Sequence, residues 1–149
     1  MKQGLLFSVA LMSISVLSAT TAWSIELDGT KWQAMNEKTG KPLNIIQFYK
    51  DKNGNYAGKV AQVSEPKNIP VCTTCSGELK GKNLQGMTLI RNLKKSTDNK
   101  YTEGSVIDPA SSRTYRLNVE TSPNGQQLKL RGYIGTPALA GTQIWNRVK

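Results

Sequence analysis

The chain has 149 residues, and its 20 lysines and arginines against 10 aspartates and glutamates give a formal net charge of +10. It contains no histidine, which excludes Ser–His and Cys–His nucleophile pairs, histidine metal ligands and a c-type haem site. Neither a compact pair of carboxylates nor a phosphate-binding loop stands out. We therefore predict that the protein is not an enzyme, and we expect no cofactor and no bound metal.

The N-terminus has the layout of a secretory signal peptide. Lys2 precedes an apolar stretch, Leu5 to Ala19, which is interrupted only by serines. Small residues then lead to Ala22 and Ser24, and cleavage after either one satisfies the small-residue rule. The apolar stretch is too short and too rich in serine for a membrane span. We therefore predict a signal peptide over residues 1–24 and no membrane span.

The remaining residues, 25–149, are long enough for one domain with a hydrophobic core and too short for two. We therefore expect a single domain there, and a periplasmic or secreted location for the protein. Its lysines are scattered over presumed turns and are not interleaved with aromatic residues. This distribution indicates a solvated surface, so we expect no nucleic-acid partner.

Stretches rich in β-branched and aromatic residues, separated by turn signals, predict about eight short strands. In chain order they are Thr30–Met35, Leu43–Tyr49, Tyr56–Val63, Met87–Leu93, Lys100–Ile107, Arg113–Glu120, Gln127–Tyr133 and Thr142–Val148. Asn-Gly, the strongest short hairpin signal, stands in two of the intervening turns. In the sixth stretch, Tyr115, Leu117 and Val119 alternate with polar residues, as in a strand with one buried face.

These strands predict an all-β fold, because the chain after the N-terminal stretch offers no helical period. Hairpin connections favour an antiparallel meander, and eight such strands close into an up-and-down barrel that leaves no exposed edge. A barrel of eight strands is wide enough either to be filled by side chains or to hold one small ligand. The sequence does not decide between a filled interior and one that holds a ligand.

The two cysteines, Cys72 and Cys75, lie in a long connection between the third and fourth predicted strands. In an exported protein the default for such a pair is a disulfide, which here would pin a turn. A redox role would need a thiolate stabilised at a helix N-terminus. A metal site would need two further ligands, for example from a second copy of the chain. We predict the disulfide and keep the other two as alternatives.

Four stretches together resemble a family of small exported bacterial proteins, domain-of-unknown-function family twenty-one forty-seven. They are Gly58–Val63, Gly104–Arg116, Leu128–Gly135 and Gly141–Val148. The loop from Val71 to Met87 resembles the branch of that family that carries Cys-x-x-Cys. The resemblance implies a lipocalin-like barrel and no established activity.

Lipocalin-type barrels often place a tryptophan of the first strand against an arginine of the last. Trp32 and Arg147 match these positions, so the resemblance implies a ring that caps one end of the barrel beneath a stacked cation. We assign the pair a structural role.

The leading functional hypothesis is non-enzymatic binding of a small apolar or anionic molecule in the mouth of the barrel. It rests on the barrel size, the basic charge and the supply of aromatic residues. Arg131 and Tyr133 are the candidate polar anchors, with a buried structural pair as their alternative role. A second hypothesis is an interaction protein of the cell envelope, whose cationic surface contacts anionic headgroups or an acidic partner. A third is a thiol redox or metal-handling role at the cysteine loop.

Overall fold

The structure is a computed structural model of the chain, and it describes residues 24–36, 38–64, 71, 76–109, 111–136 and 141–149. Most of the expected signal peptide and both cysteines, Cys72 and Cys75, lie outside these residues. Within the described ranges, no helix is long and apolar enough to cross a membrane.

Eight strands form the molecule. They are β1 (Lys31–Met35), β2 (Pro42–Lys50), β3 (Tyr56–Val63), β4 (Thr88–Lys95), β5 (Lys100–Asp108), β6 (Arg113–Thr121), β7 (Gln127–Tyr133) and β8 (Gly141–Val148). Each strand pairs antiparallel with the next, and β8 pairs with β1, so the barrel is closed. The predicted eight-stranded antiparallel up-and-down barrel is therefore confirmed. The described residues contain one helical turn, a 3-10 turn at Gly77–Leu79.

Hydrogen bonds between side chains and the nearby backbone stabilise the β2–β3 turn. Between β2 and β3, the Asp51 carboxylate accepts hydrogen bonds from the amides of Asn53 and Asn55, at 2.8 and 3.0 Å. Gly54 follows with a φ of +81°, a conformation that glycine adopts without steric cost. This arrangement explains why the Asn-Gly signal predicted the hairpin correctly.

The two ends of the barrel differ. The β2–β3, β4–β5 and β6–β7 turns lie at one end together with residues 24–30, and we call this the closed end. Leu27 is fully buried there, and the Gly29 amide donates to the Phe48 carbonyl at 3.0 Å. The Tyr101 hydroxyl donates to the Ile25 carbonyl at 3.2 Å. Residues 24–30 therefore plug this end.

The other four connections, β1–β2, β3–β4, β5–β6 and β7–β8, lie at the opposite end, which we call the open end. The core is continuous between the ends and is built from inward-facing residues of all eight strands. Its largest fully buried side chains lie towards the closed end, among them Trp32, Phe48 and Tyr101. Packing therefore becomes less complete towards the open end, where the candidate site lies.

Candidate ligand-binding site

A cavity of about 640 Å³ occupies the open end of the barrel. Its size falls within the range of about 300–1,000 Å³ that is usual for small-molecule sites. The described residues that line it are Ala34, Leu43, Asn44, Ile46, Leu89, Ile90, Val106, Ile107, Asp108, Pro109, Tyr115, Leu117, Leu130, Gly132, Tyr133, Ile134, Gly141, Gln143 and Trp145. The side chains that the structure describes thus do not fill the barrel at this end.

Strand alternation positions much of this lining. On β8, Gln143 and Trp145 both line the cavity, whereas the intervening Ile144 does not. On β7 the lining residues are Leu130, Gly132 and the terminal Tyr133, and Gly132 lies opposite Leu117 of β6 in the ladder. Because side chains point alternately to opposite faces of a strand, residues of the same parity on neighbouring strands converge on this space.

The lining is apolar at depth. Buried side chains line the cavity towards the core, namely Ala34, Ile46, Leu89, Ile90, Leu117, Leu130 and Trp145. Two large apolar side chains at the mouth are solvent-exposed, Leu43 by 42% and Ile134 by 61%. Because the wall and the rim are both apolar, the hydrocarbon part of a ligand could make apolar contacts from the mouth of the cavity to its depth.

A few polar groups join this apolar lining. Asn44, Tyr115 and Gln143 supply uncharged donors and acceptors. The Gln143 side-chain oxygen accepts a hydrogen bond from the Trp145 indole at 3.1 Å, which leaves the Gln143 amide nitrogen as a donor. In such a site apolar contacts would bind the ligand, and these few polar groups could fix its orientation.

The charge in the cavity contrasts with that of the whole chain. No lysine or arginine is among the described residues that line it, and Asp108 is the one carboxylate among them. Asp108 lies at the end of β5, where its carboxylate accepts a hydrogen bond from the Ser111 hydroxyl at 2.6 Å. The basic residues that the structure describes therefore lie outside this lining.

Trp32 and Arg147 meet at the closed end, opposite the cavity. They are partners in the β1–β8 ladder, and the guanidinium carbon of Arg147 lies 5.9 Å from the centroid of the Trp32 ring. The Trp32 indole donates to the Thr30 hydroxyl at 2.8 Å, and that hydroxyl donates to the Leu27 carbonyl at 2.5 Å. These contacts attach residues 24–30 to the barrel at its closed end.

Arg131 and Tyr133, the anchors expected from the sequence, have different positions. Tyr133 ends β7 at the mouth and lines the cavity. Arg131 is exposed, does not line the cavity, and pairs across the ladder with Asn118 of β6. Its neighbour Leu130 points inward, so alternation turns Arg131 to the outer wall. The structure thus places Tyr133, but not Arg131, beside the cavity.

The sequence reasoning did not select Asn44, Asp108, Tyr115 and Gln143 as site residues. A usable signal existed for three of them. Tyr115 shares the parity of buried Leu117, Asn44 that of buried Ile46, and Gln143 that of buried Trp145. Asp108 is the last residue of β5, and its position at the mouth depends on how that strand ends.

The cysteine predictions concern Cys72 and Cys75, which lie outside the described residues, so disulfide, redox pair and metal site all stay predictions. The described residues contain no group of three or more acidic, cysteine or histidine side chains that could hold a metal ion.

Comparison with known proteins identifies the family. No curated protein matches the chain. A solved structure, described as "Protein HP1028 from the human pathogen Helicobacter pylori belongs to the lipocalin family", is similar with a TM-score of 0.73 and 19% identity over 84% of each chain. At that identity the likeness establishes a lipocalin-like fold. Residues 30–147 match the family described as "Uncharacterized protein conserved in bacteria (DUF2147)". The chain therefore belongs to this family, as the sequence resemblance predicted.

Proposed function

We propose that the protein binds a small, largely apolar molecule in the cavity at the open end of its barrel. The observation that carries the proposal is the cavity of about 640 Å³, lined by apolar side chains and open to solvent. A packed interior normally leaves few voids larger than a water molecule. An eight-stranded barrel that keeps such a space has room for one small ligand.

The physical driving force is the removal of apolar surface from water. Each Å² of apolar surface buried contributes about 25 cal/mol, and Ile90, Leu117 and Trp145 offer apolar surface to a ligand inside the barrel. Asn44 and Gln143 supply hydrogen bonds that fix its orientation. The proposal is binding without chemical conversion, and among the described residues of the lining no nucleophile stands beside a general base.

Gly132 provides a direct test. It faces the cavity, and a Cβ added there would meet its nearest atom, the Tyr115 Cβ, at 3.8 Å, an ordinary contact. Gly132→Leu therefore leaves the strand unstrained and places a branched side chain in the ligand space. We expect weaker binding of the uncharged dye N-phenyl-1-naphthylamine by about tenfold, since overpacking an occupied site costs about 1–3 kcal/mol.

The matched control is Thr142→Leu, which adds the same side chain to the exposed outer face of the neighbouring β8. Dye fluorescence titrations on the purified protein measure both variants, and thermal unfolding checks that each folds. Saturable binding in the unchanged protein and in Thr142→Leu, with the loss confined to Gly132→Leu, supports the proposal. Absence of saturable binding, or equal affinity in both variants, contradicts it.

The outer wall favours a second, compatible function: contact with an anionic lipid surface. The acidic residues of the strands are Glu103, Asp108 and Glu120, whereas the basic ones are Lys31, Lys50, Lys59, Arg91, Lys94, Lys95, Lys100, Arg113, Arg116, Lys129, Arg131 and Arg147. All of these basic residues except Lys59 are exposed. A cationic wall of this kind attracts anionic surfaces, and salt weakens the attraction.

Sedimentation with vesicles tests this second function. We expect binding to vesicles that contain phosphatidylglycerol, release at high salt, and weaker binding of the double variant Arg116→Gln, Lys129→Gln. Glu120→Gln, on the same wall, is the control and should bind at least as well as the unchanged protein. Binding that is equal on uncharged phosphatidylcholine vesicles would contradict an electrostatic contact.

A further inference from the structure

The described part of the chain exposes four large apolar side chains, and three of them lie at the open end. These three are Leu43, Val71 and Ile134, with exposed fractions of 42%, 36% and 61%. The fourth, Ile144, lies on the outer wall. We infer that the protein docks on an anionic lipid bilayer through its open end, so that the mouth of the cavity faces the lipid. This inference rests on both proposed functions and adds the surface and the orientation of the contact.

The three side chains come from separate parts of the chain that meet at the mouth. Leu43 is the second residue of β2, just after the β1–β2 connection, and Ile134 follows β7 directly. Val71 belongs to the β3–β4 connection, where it forms an isolated bridge with Asn83. Leu43 and Ile134 also line the cavity. An apolar phase that covers the mouth therefore removes apolar surface from water around the opening.

Exposed lysines accompany these apolar side chains. Lys38 and Lys41 lie in the β1–β2 connection, and Lys80 and Lys82 lie in the β3–β4 connection. By sequence, the four connections of the open end contain five lysines and three glutamates, which gives them an excess of positive charge. Lysine can keep its charge among lipid headgroups while its stem contacts apolar groups. Apolar side chains beside cations are the features that bind the interface of an anionic bilayer.

A bilayer fits this end better than a folded protein does. The residues that dominate a protein–protein interface normally cluster near its centre. Here the cavity of about 640 Å³ occupies the centre, and the exposed apolar side chains lie around it. Fluid lipid adapts its shape to such an opening, whereas a rigid protein surface leaves the cavity empty at the middle of the contact.

The other surfaces lack this combination. Within the described residues, none of the large apolar side chains of the closed end is exposed, and Lys50 and Lys95 there form ion pairs with Glu26 at 3.6 and 3.1 Å. On the outer wall, the exposed Ile144 lies opposite Lys129 in the β7–β8 ladder. The cations of the wall attract the protein to an anionic surface, and the apolar rim determines which part makes the close contact.

Two tryptophan substitutions measure the orientation. Ile134→Trp places a probe at the mouth, and Ile144→Trp places the same probe on the outer wall; both positions are exposed. Each variant is mixed with phosphatidylglycerol vesicles whose acyl chains are brominated, and the fluorescence of the unchanged protein is subtracted. Because bromine quenches tryptophan only at short range, we expect quenching and a blue shift for Ile134→Trp and little change for Ile144→Trp. Equal quenching, or stronger quenching of Ile144→Trp, would overturn the inference and indicate that the wall makes the contact.

A pair of lysine substitutions tests the contact without touching the lining of the cavity. Each cation near an anionic membrane strengthens binding about fivefold, so Lys80→Gln, Lys82→Gln should bind phosphatidylglycerol vesicles about thirtyfold more weakly in sedimentation. The matched control is Lys52→Gln, Lys149→Gln, which removes the same charge from exposed positions at the closed end and should bind nearly as well as the unchanged protein. Equal losses in the two double variants would contradict docking through the open end.

The remaining outcomes separate this inference from the proposed cavity binding. Saturable dye binding in solution, combined with unquenched Ile134→Trp on vesicles, refutes the docking and leaves cavity binding in place. Docking as expected without saturable dye binding refutes the cavity function and leaves the membrane contact in place. A dimer in lipid-free solution that Ile134→Ser weakens would assign the apolar rim to a second copy of the chain and contradict the inference.

Discussion

The two ends of the barrel are built from the same strands but are packed differently. At the closed end, Trp32 is fully buried, is hydrogen-bonded to Thr30 and lies beneath the Arg147 guanidinium. At the open end, Trp145 borders a cavity of about 640 Å³ and the rim residue Ile134 is 61% exposed. The barrel core is thus fully packed at the closed end and incompletely packed at the open end.

This difference in packing predicts which substitutions lower stability and which affect the proposed ligand binding. A residue surrounded by packed atoms contributes fully to the free energy of unfolding, whereas a residue that borders empty space lacks partners on one side. Changes at the closed end should therefore lower stability, and changes at the open end should alter ligand affinity. The predictions below compare matched substitutions at the two ends.

The largest contrast is between the two tryptophans. Trp32→Ala should lower the free energy of unfolding by about 3–5 kcal/mol, because it leaves a cavity in packed surroundings. Trp145→Ala should cost about 2 kcal/mol, because part of that ring already faces open space. Urea unfolding of both variants measures the difference. Equal losses would mean that the open end is packed as well as the closed end.

Thr30→Val should cost about 2–3 kcal/mol, because it leaves the buried indole N–H of Trp32 without an acceptor. The Thr30 hydroxyl also bonds to the Leu27 carbonyl, so the plug loses an anchor. Thr30→Ser keeps the hydroxyl and is the control. If valine and serine destabilise equally under the same urea titration, the hydrogen bonds do not hold the plug.

Substituting alanine for a glycine with positive φ allows a turn at the closed end to be compared with one at the open end. Gly125, in the β6–β7 turn, has a φ of +67°, and an added Cβ would lie 2.5 Å from the Ile25 Cδ1. Gly135, after β7 at the open end, has a φ of +80° with no atom within 4 Å of that position. Alanine should cost about 1 kcal/mol at Gly135 from backbone strain alone, and about 2 kcal/mol at Gly125, where Ile25 must also move. Thermal unfolding would contradict this if the order were reversed.

The smallest contrast concerns two tyrosine hydroxyls. Tyr101→Phe removes the hydrogen bond to the Ile25 carbonyl and should cost about 1 kcal/mol at neutral pH. Tyr115→Phe should leave stability nearly unchanged, because no hydrogen-bond partner for its hydroxyl is found among the described residues. Both are measured by urea unfolding, and a larger loss for Tyr115→Phe would contradict the comparison.

Tyr101 also predicts a dependence on alkaline pH. Burial, assisted by the nearby Glu26 charge, raises the pKa of Tyr101 to about 12 from its usual 10.0. The unfolded chain therefore loses this proton at a lower pH than the folded protein does. The stability that this difference supplies is present below pH 10 and is lost as the pH rises towards about 12. The unfolding free energy of the unchanged protein should fall more steeply across that interval than that of Tyr101→Phe.

Much of the fold could be predicted because its signals are local. Each observed strand begins and ends within two residues of its predicted bounds, since turn residues and alternation act over a few positions. The structure also brings Trp32 and Arg147 together, as the resemblance to lipocalin-type barrels implied. These features depend on neighbours in the chain or on a shared family pattern.

The candidate site was harder to predict because it depends on sums over the whole barrel. Whether the interior is open follows from the volumes of inward side chains on all eight strands, and small residues such as Ala34, Gly132 and Gly141 leave space that no local pattern reveals. Arg131 was selected for its chemistry, although the parity of Leu128 and Leu130 already placed it outside. The charge of a residue is a weak guide to a binding site when the face of the strand on which the residue lies is ignored.

An NMR titration with dodecan-1-ol tests most directly whether the open end alone binds an apolar molecule. Methyl resonances of Ile46, Ile90, Leu117 and Leu130 should shift and saturate with added alcohol, because these side chains line the cavity. Those of Leu27, Leu93 and Leu128, which are fully buried and do not line it, should remain unchanged. Shifts confined to exposed methyls of the outer wall, or no saturable shift at all, would contradict the division of the barrel into a closed structural end and an open binding end.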